Sequence, residues 1–312
     1  MIRFRMPPPE SGCFTLRAHC ITDKKEQITP QDMRRELHSK HFKSMVWLLS
    51  ATSLILAGCS LASPWGPKVP LSNKPRVLIV GDSLTVGGFG ASMEGIFIKG
   101  FGADKLEVYG CCGASVEHYL KDEPVFMCKC GYRETTKRTR VLDNWQGGRR
   151  PRAFPTPKLA TLLNKHRPEV VIVQLGTNNF DTLLKKGASA MARQQEYFDR
   201  LASEMVNTTR TVKRAIWVSP PDSTKYPANI EKTVDNMIAK AARKHGIYVI
   251  NSSKLTRYVM GESGTDGVHY HTKPAEEWAK KVRLELNRIL PPARGFGTRT
   301  SNQIRVTPPS SR

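Results

Sequence analysis

Residues 77–84 read VLIVGDSL, and this stretch determines how the rest of the chain is interpreted. Four apolar, mostly β-branched residues run directly into Gly81 and Asp82, which is typical of a buried parallel strand that ends in a turn. Residues 84–97 are apolar at helix-like spacing, although glycines interrupt that pattern. Ser83 is therefore predicted at a strand-to-helix turn, on the edge where α/β sheets bind ligands. A serine in this place can be a nucleophile or can simply cap the helix.

Strand and helix patterns alternate along the rest of the chain. Apolar runs predict four more strands, at about residues 105–109, 169–175, 215–219 and 247–250. Helices are predicted at about residues 157–166, 188–212 and 229–245, and a last helix is predicted to begin at Thr272 and to end near residue 290. This alternation predicts a three-layer α/β/α sandwich of flavodoxin-like type, with a mostly parallel five-stranded sheet.

Length and charge limit the classes of partner. A chain of 312 residues is long enough for one large or two small domains, and 39% of its residues are hydrophobic. Its formal net charge is +22. The positive charge favours anionic polysaccharides, membrane surfaces or nucleic acids as partners. The sequence has no zinc-finger spacing, ribonucleoprotein motif or heptads beside a basic region, so we expect no nucleic-acid partner.

Residues 45–59 have the composition of a secretory signal, with basic residues before a short apolar run. The run is too short to span a bilayer comfortably, and it lacks the polar face expected of a core helix. Its end, LAGC at 56–59, resembles the lipobox of bacterial lipoproteins. The resemblance implies that Cys59 is lipidated and anchors the mature protein to a membrane of the cell envelope, facing the periplasm or the exterior.

The flanking segments are expected to lie outside the folded domain. Residues 1–44 are interpreted as a disordered extension or as the result of a wrongly assigned start, because Met33 or Met45 would each make a natural start. A long basic n-region of the signal is an equal alternative. Residues 60–74 are rich in Ser, Pro and Gly, which suits a flexible tether. Residues 291–312 lack apolar periodicity and are predicted to be a disordered tail.

The sequence has seven cysteines. Cys13 and Cys20 precede the signal segment and Cys59 ends it, so the exported domain contains Cys111, Cys112, Cys128 and Cys130. In an oxidising compartment they can form two disulfides, with three possible connectivities. The adjacent pair and the Cys-x-Cys pair suggest two cross-links between their segments. A zinc site is an alternative, although these spacings are poor for zinc, and buried free thiols are another.

Residues 121–158 are predicted to be a long, basic and irregular insertion in the domain, and loops of this length are usually functional or disordered. Three arginines of this insertion, Arg149, Arg150 and Arg152, define what we call the arginine loop. Planar guanidinium groups suit the carboxylates or phosphates of an anionic polymer, so the loop is a candidate binding site for an anionic polysaccharide. A solvated loop whose charge only aids solubility is the alternative.

A carboxylate and a histidine lie just before the last predicted helix. Asp266 precedes His269 by three residues, so the acid can reach ring Nδ1 while Nε2 faces outward. That arrangement is the orienting acid and the base of a serine triad. The nearby His271 is an alternative base, and either histidine could also be an ordinary exposed loop residue.

Four blocks occur in a fixed order: GDSL at 81–84, Gly113, GTNN at 176–179, and Asp266 with His269. Together they resemble the SGNH, or GDSL-type, hydrolase family over roughly residues 75–290. The resemblance implies the SGNH hydrolase fold and a serine esterase that needs no metal or organic cofactor.

The resemblance also implies a role for each matched residue. Ser83 is the expected nucleophile, His269 the general base and Asp266 the orienting acid. The backbone N–H groups of Ser83 and Gly113 and the side chain of Asn178 are the expected oxyanion hole. The third block usually ends in aspartate, and we interpret the asparagine at position 179 as a local structural difference.

Compartment and resemblance together imply an extracytoplasmic esterase that removes acyl groups, in particular O-acetyl groups, from a cell-envelope or exopolysaccharide glycan. One alternative is acetyl transfer to a glycan by the same site. Family members that do this often have a multi-span membrane domain, and no such domain is visible in this sequence. A second alternative is an inactive lipoprotein that binds an envelope polymer, which the intact triad residues argue against.

Overall fold

The computed structural model describes residues 69–145 and 148–290. In chain order the strands are β1 (Val77–Gly81), β2 (Leu106–Cys111), β3 (Met127–Cys128), β4 (Gly131–Thr135), β5 (Arg140–Asn144), β6 (Phe154–Pro155), β7 (Val170–Gln174), β8 (Arg214–Val218) and β9 (Tyr248–Ile250). The helices are α1 (Ser83–Val86), α2 (Gly88–Phe101), α3 (Leu159–His166), α4 (Thr177–Lys186), α5 (Ala188–Asn207), α6 (Ala228–His245) and α7 (Thr272–Ile289).

The main sheet has the strand order β5-β4-β2-β1-β7-β8-β9. Five neighbouring strands of this sheet are parallel, namely β2, β1, β7, β8 and β9. All five were predicted from apolar runs. Gly81 at the end of β1 lies opposite Gly110 of β2 and Gln174 of β7. The carboxyl ends of these three strands therefore meet along one edge. The predicted α/β sandwich with a mostly parallel sheet is confirmed.

Helices cover both faces of the sheet. Leu78 and Val80 of β1 join an apolar cluster with α3, α4, α5 and α6. Val77 and Ile79 point the other way, into a second cluster with α2 and α7. All four side chains are buried, which explains why β1 reads as a continuous apolar run rather than as an alternating one.

The segment 121–158 contains regular structure that the sequence analysis did not predict. Strands β4 and β5 form an antiparallel hairpin that extends the sheet beside β2, so the main sheet has seven strands rather than five. Strands β3 and β6 pair separately. The hairpin gives little apolar signal because Tyr132 is the one buried apolar side chain of β4, and the other buried side chains of that strand are polar. Arg133 and Thr135 are buried by contact with the carboxylate of Glu94.

Two disulfides connect this segment to the end of β2. They join Cys111 to Cys128 and Cys112 to Cys130. The expected cross-links are thus present, and the structure selects one of the three connectivities. The zinc site and the free thiols considered as alternatives are not the arrangement these cysteines adopt.

Several sequence predictions fall outside the described residues. These are the extension 1–44, the signal segment 45–59 with Cys59, most of the tether 60–74, and the tail 291–312. The described end of the tether contacts the domain, because Ser72 Oγ donates a hydrogen bond to Glu169 at 2.6 Å. None of the helices in 69–145 and 148–290 is long and apolar enough to cross a membrane.

Candidate active site

Ser83 is the first residue of α1, directly after the end of β1. Asp82 caps the helix, and its Oδ1 accepts a hydrogen bond from the Leu84 N–H at 3.0 Å. The turn requires glycine at position 81, where a Cβ would lie 2.0 Å from Thr85 Oγ1 and 2.7 Å from a backbone oxygen of β7. Ser83 is therefore held at the carboxyl edge of the sheet by a tight strand-to-helix turn.

The structure brings Asp266 and His269 to Ser83. Asp266 Oδ1 accepts the backbone N–H groups of Val268 and His269 at 2.9 and 2.8 Å. Its Oδ2 lies 2.5 Å from His269 Nδ1, and His269 Nε2 lies 2.8 Å from Ser83 Oγ. This geometry assigns the proton to Nδ1, which donates to the carboxylate, and leaves Nε2 to accept from the serine hydroxyl.

The ionised carboxylate of Asp266 is strongly favoured. Partial burial acts to raise its pKa, but the hydrogen bonds from the His269 ring and from the two backbone N–H groups outweigh burial. They lower the pKa of Asp266 to about 2. The group that orients the imidazole is thus negatively charged at neutral pH, as stabilisation of an imidazolium requires.

The loop that carries His269 is fixed through its backbone. Tyr258 Oη accepts from the Gly267 N–H at 3.1 Å and donates to the His269 carbonyl at 3.2 Å. Position 264 must be glycine, since a Cβ there would lie 1.9 Å from the His269 carbonyl oxygen. His271 has a different place, at the N-cap of α7. The alternative base is thus not the histidine that the structure brings to Ser83.

Gly113 and Asn178 follow the two strands that flank β1. Gly113 follows β2 with a φ of +82°, and Asn178 is the second residue of α4, after β7. Asn178 Nδ2 donates to the Ala114 carbonyl at 2.9 Å, which links the two strand exits. A Cβ on Gly113 would lie 3.3 Å from the Phe126 ring. The register of the strands thus brings both candidate oxyanion donors to the edge that carries Ser83.

Asn179, which departs from the usual motif, is fully buried. Its Nδ2 donates to Gln194 Oε1 at 2.6 Å and to Glu117 Oε2 at 3.2 Å, while its Oδ1 accepts from the Val116 N–H at 3.3 Å. An aspartate could not donate to Glu117 and would place two carboxylates side by side. The asparagine therefore matches its local surroundings.

Asp82 is a titratable group beside Ser83 for which the sequence analysis proposed no role. It is completely buried, and burial raises its pKa to about 6, although the Leu84 N–H and the charge of His269 act in the opposite direction. The sequence does not indicate that Asp82 is buried, because the motif places this residue in a turn.

A small cavity of about 50 Å³ adjoins Ser83 and His269. Gly87 and Gly88 form part of its wall, together with the rings of Phe89 and Trp278, which stack with centroids 3.7 Å apart. Within the described parts of the chain, no group of three or more His, Cys, Asp or Glu side chains is arranged to hold a metal ion.

Strand β5, which precedes the arginine loop, ends at the same edge of the sheet, because its last residue Asn144 pairs with Gly131 beside the end of β2. Arg149 and Arg152 both bind the buried carboxylate of Asp143, at 2.7 and 3.1 Å, and both side chains remain more than half exposed. Arg150 is also exposed. The candidate anion-binding residues thus lie together, but two of the three already have an acidic partner.

Comparison with known proteins decides the family. The model of the GDSL-like lipase/acylhydrolase family matches residues 77–282, well over half of the chain. The chain belongs to this family. It is therefore an SGNH/GDSL-type acylhydrolase, an enzyme of the carboxylic ester hydrolase class.

Solved structures similar to this acylhydrolase include three esterases or lipases. A carbohydrate acetylesterase family member from Sinorhizobium meliloti has 14% identity and a TM-score of 0.44, over 69% of this chain and 99% of that one. A lipase/acylhydrolase from Enterococcus faecalis has 18% identity and a TM-score of 0.44, over 70% and 98%. An acetylxylan esterase from Geobacillus stearothermophilus has 14% identity and a TM-score of 0.44, over 70% and 96%. The search of curated proteins found no match.

Proposed function

We propose that this acylhydrolase removes O-acetyl groups from a glycan of the cell envelope or of an exopolysaccharide, outside the cytoplasm. The observation that carries the proposal is the continuous hydrogen-bond chain from Ser83 Oγ through His269 to Asp266. This chain can take a proton from the serine hydroxyl and keep the resulting positive charge beside a carboxylate.

In the proposed reaction His269 Nε2 takes the hydroxyl proton as Ser83 Oγ attacks the acyl carbon. Asp266 stabilises the imidazolium, which then gives its proton to the departing glycan oxygen as the bond from that oxygen to the acyl carbon breaks and an acyl-serine is left. In the second half-reaction His269 takes a proton from water as the water oxygen attacks the acyl-serine. The bond from the acyl carbon to Ser83 Oγ breaks, His269 returns the proton to Ser83 Oγ, and acetic acid leaves and ionises to acetate in water.

The negative charge on the acyl oxygen needs donors at the strand exits. The N–H groups of Ser83 and Gly113 and the side chain of Asn178 are proposed for this role. Asn178 Nδ2 carries two hydrogens, and the bond to the Ala114 carbonyl uses one of them. The second hydrogen can then donate to the oxyanion. Removal of one such donor typically reduces kcat about 100- to 1000-fold.

The size of the cavity supports a short acyl group. A water molecule needs about 10–15 Å³ of such space, so about 50 Å³ has room for roughly three to five groups of that size. An acetyl group has this size. Phe89 and Trp278 are almost fully buried and line the cavity, so a long acyl chain that extends past them would require them to move.

Export as a lipoprotein is the proposed location. The sequence of residues 45–59 supports it, and the two disulfides are typical of proteins that fold in an oxidising compartment. Mass spectrometry of the mature N-terminus is the test. The expected result is a lipid-modified Cys59, and an unmodified Cys59 still preceded by residues 45–58 would contradict the proposal.

A panel of esters tests the activity. The full chain should hydrolyse p-nitrophenyl acetate and release acetate from acetylated glycans, with kcat/KM falling steeply for longer acyl chains. Ser83→Ala and His269→Ala should each abolish turnover, because triad residues act as a unit. His271→Ala is the matched control and should be mild. Turnover near the wild-type rate in Ser83→Ala would refute the mechanism, and acetyl transfer to glycan without free acetate would indicate a transferase.

A further inference from the structure

The short helix that carries Ser83 is held at its far end by a residue of the hairpin. Helix α1 has only four residues and ends at Val86. Arg133 of β4 donates two hydrogen bonds to the Val86 carbonyl, from Nε at 3.1 Å and from Nη2 at 3.0 Å. A helix this short has few hydrogen bonds of its own, so contacts at its ends determine how it is oriented.

The guanidinium of Arg133 is itself fixed. Its Nη1 donates to Glu94 Oε2 at 2.9 Å, and both side chains are almost fully buried. Glu94 is further held by the Thr135 hydroxyl at 3.1 Å and by Arg140 at 2.7 Å. Because the guanidinium is planar and rigid, binding Glu94 on one side sets the direction of the N–H groups that reach Val86.

The backbone around Val86 leaves little space for movement. Gly110 of β2 pairs with Arg133, and a Cβ at position 110 would lie 2.9 Å from the Val86 nitrogen. A Cβ on Gly131 would lie 3.1 Å from the Val86 side chain. Helix α1 therefore packs directly against β2 and β4, and Arg133 reaches its last carbonyl from that surface.

Val86 is coupled to the nucleophile through one helical turn. Its N–H donates to the Asp82 carbonyl at 3.1 Å, and the next N–H, of Gly87, donates to the Ser83 carbonyl at 3.0 Å. A shift of the Val86 carbonyl is thus transmitted to the residue that presents Oγ to His269. We propose that Arg133, braced by Glu94, is a positioning residue that keeps Ser83 aligned with His269, an inference that rests on the proposed role of Ser83 as nucleophile.

The test removes the guanidinium without leaving a buried charge. In the double variant Arg133→Met with Glu94→Gln, kcat for p-nitrophenyl acetate should fall about 10- to 100-fold, the effect of a small misplacement of a reacting group. KM should change less than kcat, because His269, Tyr270 and Trp278 on the other side of the cavity are not held by Arg133. The rate at which a fluorophosphonate probe labels Ser83 should fall in parallel with kcat.

Arg140→Met is the matched control. It removes the other cation from the same carboxylate, but Arg140 is largely exposed, and the hydrogen bonds to the Val86 carbonyl come from Arg133. Its kcat and labelling rate should stay near those of the wild type, whatever small change occurs in the melting temperature. If the double variant is folded and keeps the kcat of Arg140→Met, the inference is overturned.

Arg133→Lys decides the question if the double variant does not fold. Lysine keeps a positive charge for Glu94 but lacks the fork that spans Glu94 and Val86. A folded Arg133→Lys protein with reduced kcat supports the positioning role, and one with wild-type kcat overturns it. Ser83→Ala distinguishes failure of the proposed function from failure of the present inference. Esterase activity in that variant would refute the proposed role of Ser83 as nucleophile, but would not bear on the contact of Arg133 with α1.

Discussion

The buried carboxylate of Asp82 leads to a prediction in which stability and catalysis change in opposite directions. Asp82 Oδ1 caps α1, whereas Oδ2 accepts no close hydrogen bond within the described residues, although the side chains of Thr177 and Gln174 lie beside it. Burial therefore dominates and raises the pKa of Asp82 from 3.8 to about 6. The folded protein holds the charged form at a cost.

The size of this cost follows from the two pKa values. A rise from 3.8 to about 6 corresponds to about 3 kcal/mol against the ionised form in the folded state. The unfolded chain releases this proton near its ordinary pKa and the folded chain only near 6. This group therefore lowers stability as pH rises from about 4 to about 6, and the loss is complete above about pH 7.

Asp82→Asn removes the charge and keeps an oxygen that can cap the helix. Relative to the wild type, the variant should gain up to about 3 kcal/mol of unfolding free energy at about pH 8, and almost nothing at about pH 4. Its kcat should fall, because a negative charge that attracts the imidazolium of His269 is lost.

Urea unfolding of both proteins at the two pH values measures the difference. Asp266→Asn is the control of opposite sign. The pKa of Asp266 is lowered, so its ionised form stabilises the fold above the ordinary pKa, and its loss should destabilise the protein at about pH 8. If Asp82→Asn changes stability equally at both pH values, burial of an unpaired charge is not what raises the pKa.

Three further changes probe the surroundings of the site. Cys112→Ser with Cys130→Ser should lower kcat because Gly113 loses its covalent support, and an unchanged kcat would show that the backbone alone holds it. Asn179→Asp should destabilise the protein by about 1–3 kcal/mol, because it loses buried donors and adds a second carboxylate beside Glu117. The destabilisation should be larger at high than at low pH, and equal unfolding free energies of variant and wild type would contradict this prediction. Alanine at all three positions of the arginine loop should raise KM for an acidic glycan but not for a neutral ester. Added salt should also raise the wild-type KM for the acidic glycan. Equal effects of the alanine changes on both substrates would indicate a structural role.

The parallel part of the sheet could be predicted because its residues are buried on both faces. Strands β1, β7 and β8 read as apolar runs, and a strand of this kind has few alternatives in a soluble domain. The positions of Ser83, Gly113 and Asn178 followed from the same pattern. Each comes soon after a strand, and parallel register brings the ends of neighbouring strands together.

Other parts of the site depend on contacts that no local pattern shows. Strand β4 of the hairpin buries Arg133 against Glu94, which lies 39 residues earlier, and a buried charged pair leaves no apolar signature in the sequence. Tyr258 supports the His269 loop through two backbone groups, and nothing in the nearby sequence distinguishes it from another aromatic residue. Helix α4 was not predicted, because its first turn coincides with a motif read as a strand exit.

The hairpin has a physical consequence for the whole site. Without β4 and β5, strand β2 would be an unpaired edge beside the cysteines that precede Gly113, and such edges invite pairing with other chains. The hairpin covers that edge, reaches the Ser83 helix through Arg133 and is linked to the residue before Gly113 by the Cys112–Cys130 disulfide. One inserted element thus contacts the supports of both Ser83 and a candidate oxyanion donor. A change in its position would alter both together, so residues that hold the hairpin matter for the site even where they are remote from Ser83 in sequence.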